Sequence, residues 1–170
     1  MAIELPRVLK NMNLFVDGRG YAGRIDEIQL PKLTLKTEEH RAGGMDLPVE
    51  IDLGMEKLEA ELTIADHDPE VFKLFGLLDN AATQITIRGA IQAQGNPAKP
   101  VIVNLRGGWK ELDAGTWKPG DKSTLKVSVA ASYYKLTIDD EELIEIDAIN
   151  LVRKVGGTDQ MEAIRAAIGL

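Results

Sequence analysis

The sequence predicts an α+β fold that is mainly β: antiparallel strands, one flanking α-helix and a second helix at the C-terminus. Three observations carry this. Apolar and polar residues alternate with period 2 through most of the chain. Gly, Pro, Asn and Asp punctuate the alternating runs at short intervals. Helix-start signals occur only near Asp68 and Asp159. The length, 170 residues, fits a single domain (1–170), enough to bury ~70% of the surface its unfolded chain exposes.

Taken in order, residues 1–12 mix charges, Pro6 and apolar side chains without a period and read as an arm. A short strand follows over 13–17, then a turn at Asp17-Gly18-Arg19-Gly20, then a weaker strand over 21–30 that Pro31 ends. Leu33, Leu35 and Thr37 alternate with Thr34, Lys36 and Glu38, the period of a half-buried strand. Val49, Ile51 and Leu53 alternate with Glu50 and Asp52 on the far side of the loop 41–48. A tight hairpin would carry Asn-Gly or Asp-Gly there. This connection instead has Gly43-Gly44, which tolerate positive φ, an apolar Met45, and Pro48, which cannot donate to a ladder. Local chemistry leaves both an ordinary surface loop and a reaching loop open.

The apolar parity then switches: odd positions through Met55, even positions from Leu58 through Ile64. Only a bulge, a bend or an end does this, and Gly54 marks the place. A bent strand is favoured over a helix because 60–64 keeps alternating. Asp68-Pro69-Glu70 starts a helix, with Asp as N-cap and Pro at the first position. Val71, Leu74, Phe75 and Leu78 give it one apolar stripe to lay on a sheet. Strands follow at 85–93 and from Val101, while 107–120, with Trp109 and Trp117, looks irregular. A long strand opens at Leu125 and changes parity near Tyr133-Tyr134; Asp139-Asp140 turns it into a return strand over 143–152. The tail, 158–170, closes with Asp159 and Glu162 spaced as a capping box and Gly169 as a stop.

Charge and composition narrow the function. The net charge of −7 argues against a surface that grips nucleic acid, which needs a basic patch. With 28% charged residues and no long apolar run, the chain is not expected to enter a membrane, nor does a charged-then-apolar leader open it. There is no cysteine, hence no disulfide, thiolate nucleophile or cysteine metal site.

No catalytic constellation emerges, and no cofactor or metal is expected. His40 and His67 are the only histidines; His67 lies between Asp66 and Asp68, which read better as caps than as ligands. Ser123, Ser128 and Ser132 sit in no nucleophile elbow, and Gly18-Arg19-Gly20 lacks the rest of a phosphate loop. The acids 139–142 read as a solvated turn. Glu50 and Asp52 share one strand face, and past the parity switch Glu59 and Glu61 share another, with Lys57 interrupting.

The run TEEHRAGGMDLPVEIDLG, together with Asn13-Leu14-Phe15-Val16-Asp17-Gly18, Leu30-Pro31-Lys32-Leu33, Ala131-Ser132-Tyr133-Tyr134-Lys135-Leu136 and Ile146-Asp147-Ala148-Ile149-Asn150, resembles the major tail tube proteins of contractile-tailed bacteriophages and R-type pyocins. The likeness runs along almost the whole chain in the same order. His40 departs from it, standing where an aromatic such as tyrosine is more usual.

The resemblance implies a β-sandwich or barrel-like domain whose long hairpin joins its neighbours' in a ring-forming inter-subunit β-barrel. Six-membered rings then stack into a hollow tube that conducts DNA or a tape-measure protein and hydrolyses nothing. It implies self-association, a sheath protein, a baseplate or spike initiator and a tape-measure protein as partners. It places the chain in the host cytoplasm during assembly and afterwards in the particle's tail. On that view Arg41, Gly43, Gly44, Met45, Asp46 and Pro48 form a loop reaching the next ring, and Glu50, Asp52, Glu59 and Glu61 are candidates for an acidic lumen over which DNA slides. A tube protein of a related injection system such as type VI secretion is the alternative. A ligand-binding β-sandwich or an enzyme is the more distant one.

Overall fold

The computed structural model describes residues 3–79 and 83–170, so the first two residues of the expected arm lie outside it. Twelve strands and two short helices are described, and the strands pair antiparallel throughout. They are β1 (Val8–Val16), β2 (Arg19–Gly20), β3 (Ile25–Gln29), β4 (Leu35–His40), β5 (Val49–Met55), β6 (Leu58–Ile64), β7 (Gln84–Gln92), β8 (Lys99–Asp113), β9 (Leu125–Ile138), β10 (Glu141–Asp147), β11 (Val152–Val155) and β12 (Thr158–Asp159). The helices are α1 (Pro69–Phe72) and α2 (Glu162–Ala167).

The large sheet runs β12-β11-β10-β9-β8-β7-β1-β2, with a branch at β9. The first half of β9 pairs with β6, Leu58 opposite Ala131 through Ile64 opposite Leu125, and β6 carries β3. The second half of β9 pairs with β10, Glu141 opposite Ile138. Thus the parity change read near Tyr133 marks where β9 leaves one partner for another. Opposite it, β8 bulges between Arg106 and Gly107. There a Cβ on Gly107 would lie 2.8 Å from the Cα of Ala131 and press on the carbonyl of Ala130. Only glycine lets the two backbones approach this closely.

The core joins both arms of the sheet. Leu14 and Val16 of β1, Ile85 and Ile87 of β7, Leu62 and Ile64 of β6, and Val127 and Val129 of β9 belong to one buried cluster. The sheet therefore folds back on itself across the bulges, and period-2 alternation sends every second residue into the enclosed space. The Asp139-Asp140 turn is as expected, both residues adopting positive φ.

Several expectations are corrected. β1 begins at Val8, so the arm before it is shorter than 1–12. The stretch 107–120 is not irregular throughout: β8 continues to Asp113, Trp109 is buried within it, and only Trp117 lies exposed in the loop. The return strand breaks in two at 148–151. There Asp147 Oδ1 accepts from the backbone N–H groups of Ile149 and Asn150, and Leu151 takes φ 52°.

The helix predicted from Asp68 lasts one turn. Asp68 caps it as expected, accepting from Glu70 N at 2.9 Å. However, the Trp109 indole N–H donates to the Val71 carbonyl at 2.8 Å, and Phe75 bridges to Trp109. Past the first turn the bonds tighten to i→i+3, Leu74 N donating to the Val71 carbonyl and Phe75 N to that of Phe72, and the helix does not propagate; Val71 is buried while Phe75 and Leu78 are exposed.

At the C-terminus the capping box is not made. Asp159 belongs to β12, the N-cap is Met161 without a side-chain bond, and Gly169 follows with φ 83°. The segment Leu33, Leu35 and Thr37 is not half-buried either: every residue of β4 is exposed.

Candidate assembly interface

β4 and β5 form a two-stranded sheet of their own, separate from the large one. Its register sets Thr37 opposite Asp52, Glu38 opposite Ile51, Glu39 opposite Glu50 and His40 opposite Val49. Opposed residues share a face, so one face carries Thr37, Glu39, Glu50 and Asp52. The other carries Glu38, His40, Val49, Ile51 and Leu53. The apolar rows read on the two strands therefore fall on opposite faces of the hairpin.

Val49, Ile51 and Leu53 remain 46%, 45% and 52% exposed. Three adjacent same-face apolar residues on a strand with an open outer edge make a surface that other chains can complete. Water meets them here because the two-stranded sheet pairs with no other strand.

The loop 41–48 is ordered by its own contacts. Met45 N donates to the Ala42 carbonyl at 3.2 Å, closing a turn whose third residue, Gly44, has φ 85°; that sign is the reason for a glycine there. Arg41 Nε donates to the Met45 carbonyl at 3.3 Å, and the Met45 sulfur lies 3.4 Å from Ala42 N. Met45 thus folds onto its own loop, and Leu47, 65% exposed, is the more prominent apolar side chain. Asp46 and Pro48 are exposed beside it.

The four acids separate into two settings. Glu50 faces Glu39 across the hairpin, and neither makes an ion pair among the described residues. Asp52 is bound: Gly54 N donates to its Oδ1 at 2.7 Å and Arg153 to its Oδ2 at 3.0 Å. The Gly54 hydrogen bond first, then Arg153, holds its carboxyl below the usual range. Glu59 and Glu61 lie on the outward face of β6. Lys110 and Lys57 contact Glu59 at 2.5 and 3.0 Å, and both lower its pKa, Lys110 more. Lys126 is 3.8 Å from Glu61.

Other charged groups have structural partners. Asp66 and Asp68 both contact Arg24, at 3.0 and 3.3 Å. His67 packs against Phe72 and the edge of Trp117, its Nε2 3.4 Å from the Ala114 carbonyl. On the outer sheet face Arg106 stacks over Tyr133, whose hydroxyl donates to Glu145; burial and then that carboxylate push the phenol up to about 12. Alternation alone could have placed this polar row, from Gln84 and Thr86 through Asn104 and Arg106 to Tyr133 and Lys135, but nothing marked it as a network.

Fold and surface together define a class: a small, nearly all-β domain presenting an unpaired hairpin with exposed apolar side chains. The chain belongs to the phage tail tube protein FII family, whose model matches residues 6–169. It is 37% identical to the tail tube protein of Escherichia phage P2 over 99% of this chain and 100% of that one. It is 33% identical to the major tail tube protein of Serratia phage KSP20, over 99% of each. In fold it is similar to a chain of the sheath/tube terminator of the extracellular contractile injection system PVC in the extended state, with TM-score 0.62 at 13% identity, covering 80% of this chain and 99% of that one. A chain of the PVC sheath-tube complex in the extended state gives TM-score 0.59 at 12% identity, covering 78% and 91%.

Proposed function

We propose that this chain is the structural subunit of the inner tail tube of a contractile injection machine, forming six-membered rings that stack into a hollow conduit. The observation that carries the ring is the hairpin: a two-stranded sheet with open edges and an exposed row at Val49, Ile51 and Leu53. Joining hairpins head to tail around a ring removes those edges, whereas a second contact that does not close upon itself gives a filament. The loop 41–48, with Arg41, Gly43, Gly44, Met45, Asp46 and Pro48, is then the contact to the next ring. Its shape is held by internal hydrogen bonds and supports that reading.

The lumen candidates are Glu50, Asp52, Glu59 and Glu61. Their exposure supports the assignment, while Arg153, Lys110 and Lys126 temper the negative charge of three of them. A lining of this kind repels DNA only within ~8 Å at physiological salt, enough to stop adhesion without opposing passage. A sheath outside, a baseplate or spike initiator at one end and a tape-measure protein inside are the partners this role requires. The chain's place is the host cytoplasm during assembly and the particle's tail afterwards.

Negative-stain electron microscopy of the purified protein, alone and with purified baseplate, tests the proposal. Six-fold rings or hollow tubes are expected in at least the second sample. Only monomers in both would refute it.

A further inference from the structure

The hairpin's attachment to the body shows how its direction is held. Glu56 N donates to the Thr34 carbonyl at 2.9 Å and closes the base. Just above, Gly54 takes φ 105°, and β5 bulges against β4 between Leu35 and Thr37. The chain then crosses Glu56 and Lys57 before β6 begins. A bulged glycine beside a two-residue crossing is where a change of backbone torsion would redirect the hairpin. Beside it lies a largely apolar cleft of about 490 Å³, with Gly54 and Met55 of the hairpin on one side and Val152, Arg153 and Met161 of the C-terminal segment on the other.

One ion pair joins the hairpin to the far wall of that cleft. Arg153 of β11 donates to Asp52 of β5 at 3.0 Å, the guanidinium side chain only 17% exposed. The anchor behind it is built with care: Arg153 N donates to Asp159, Arg165 pairs with Asp159 at 2.7 Å, and Arg165 also donates to the Leu151 carbonyl at 2.8 Å. Asp159 Oδ1 further accepts from Met161 N at the start of α2. Hence the acid at 159, which is not a helix cap, ties β11, β12 and α2 into one block behind Arg153.

We infer that the Asp52–Arg153 pair is a strap by which the C-terminal segment 152–168 sets the angle of the β4–β5 hairpin in the unassembled chain. The inference rests on the hairpin being the assembly surface. A hairpin free to swing would have to find its angle in each binding event, an ordering cost that a preset angle removes. Asp52 and Arg153 are positioning residues in this account, acting through the hairpin rather than at its edges.

The chain has no cysteine, so two can be introduced cleanly for spin labels: Asp46→Cys at the loop and Glu141→Cys on β10. Electron–electron double resonance on the dilute, unassembled protein then reads the hairpin's angle directly. The expected result is a narrow distance distribution in the parent. Asp52→Asn should broaden it, with the unstrapped population raised about fivefold, the ceiling for a partly exposed pair. Arg153→Gln should do the same, and if that variant fails to fold, Asp52→Asn, on an exposed strand, still decides. Adding Arg153→Gln to Asp52→Asn should broaden the distribution no further than either change alone.

Unchanged distributions in the single variants overturn the inference. So does broadening in which the two changes add, which assigns the effect to something other than the pair. The measurement needs no assembly, so a strap that holds in a chain that never polymerises would refute the tube reading and leave the strap standing.

Discussion

Replacing Ile51 separates folding from assembly. Its side chain is 45% exposed in the isolated chain. Of the ~1.5–3 kcal/mol that full burial of such a side chain supplies, roughly 1 kcal/mol therefore remains to be gained when a neighbour covers it. Ile51→Thr keeps the β-branched shape and the strand preference but forfeits most of that gain. The critical concentration for tube formation should rise about fivefold. Ile51→Lys adds the cost of covering an unpaired ammonium, several kcal/mol, and should abolish assembly at any practical concentration.

The isolated fold should not notice either change: exposed substitutions stay within about 0.5 kcal/mol, or 1–2 °C in melting temperature for a chain of this size. Sedimentation across a concentration series reads the first quantity and thermal unfolding below the critical concentration reads the second. Wild-type assembly by Ile51→Lys, or a large loss of monomer stability, would refute the argument that this face is kept for other subunits.

Two further predictions concern the fold. Gly107→Ala forces a methyl group against the Ala130 carbonyl and Ala131 Cα; because these neighbours are backbone, the cost should reach ~3 kcal/mol, about 6–12 °C in thermal melting. Asp147 should contribute to the acid limb of stability. Burial raises its pKa, but the hydrogen bonds from Asn150 and Ile149 and the charge of Arg106 outweigh this and hold it below the usual aspartate value. A depressed folded value means stability that is full above pH 3.8 and lost as pH falls through the folded value. Asp147→Asn should therefore flatten the decline below pH 4 in acid titrations followed by circular dichroism, and an unaltered acid limb would contradict this.

Much of the strand plan was legible because burial on one side writes period 2 into a sequence. The parity switch near Tyr133 fell where β9 changes partners, and the one at Gly54 fell at a positive-φ bulge just before β5 ends, so the single bent strand expected there is two strands, β5 and β6. What local pattern could not show was set by tertiary contact. The Trp109 indole binds the Val71 carbonyl of α1 from 38 positions away, and Gly107-Gly108 hid the continuation of β8 behind residues that usually signal loops. Asp159 had the spacing of a capping box but was taken by Arg153, Arg165 and Met161 instead. Alternation predicted that β4 and β5 were strands. Their cross-strand register, not their individual patterns, put the apolar rows on opposite faces, and no single-strand period contains that register. The family was legible only from runs spread along the chain, and the hairpin proposed for assembly only through that family, since such a surface has no catalytic chemistry to announce it.

The most direct test of the account is a cryo-electron microscopy reconstruction of the assembled protein at a resolution that traces strands. In it, β4 and β5 of each subunit should hydrogen-bond to strands of its neighbours in a closed ring, with Val49, Ile51 and Leu53 covered. Rings or tubes in which the hairpin projects into solvent, its edges unpaired and Ile51 exposed, would contradict it.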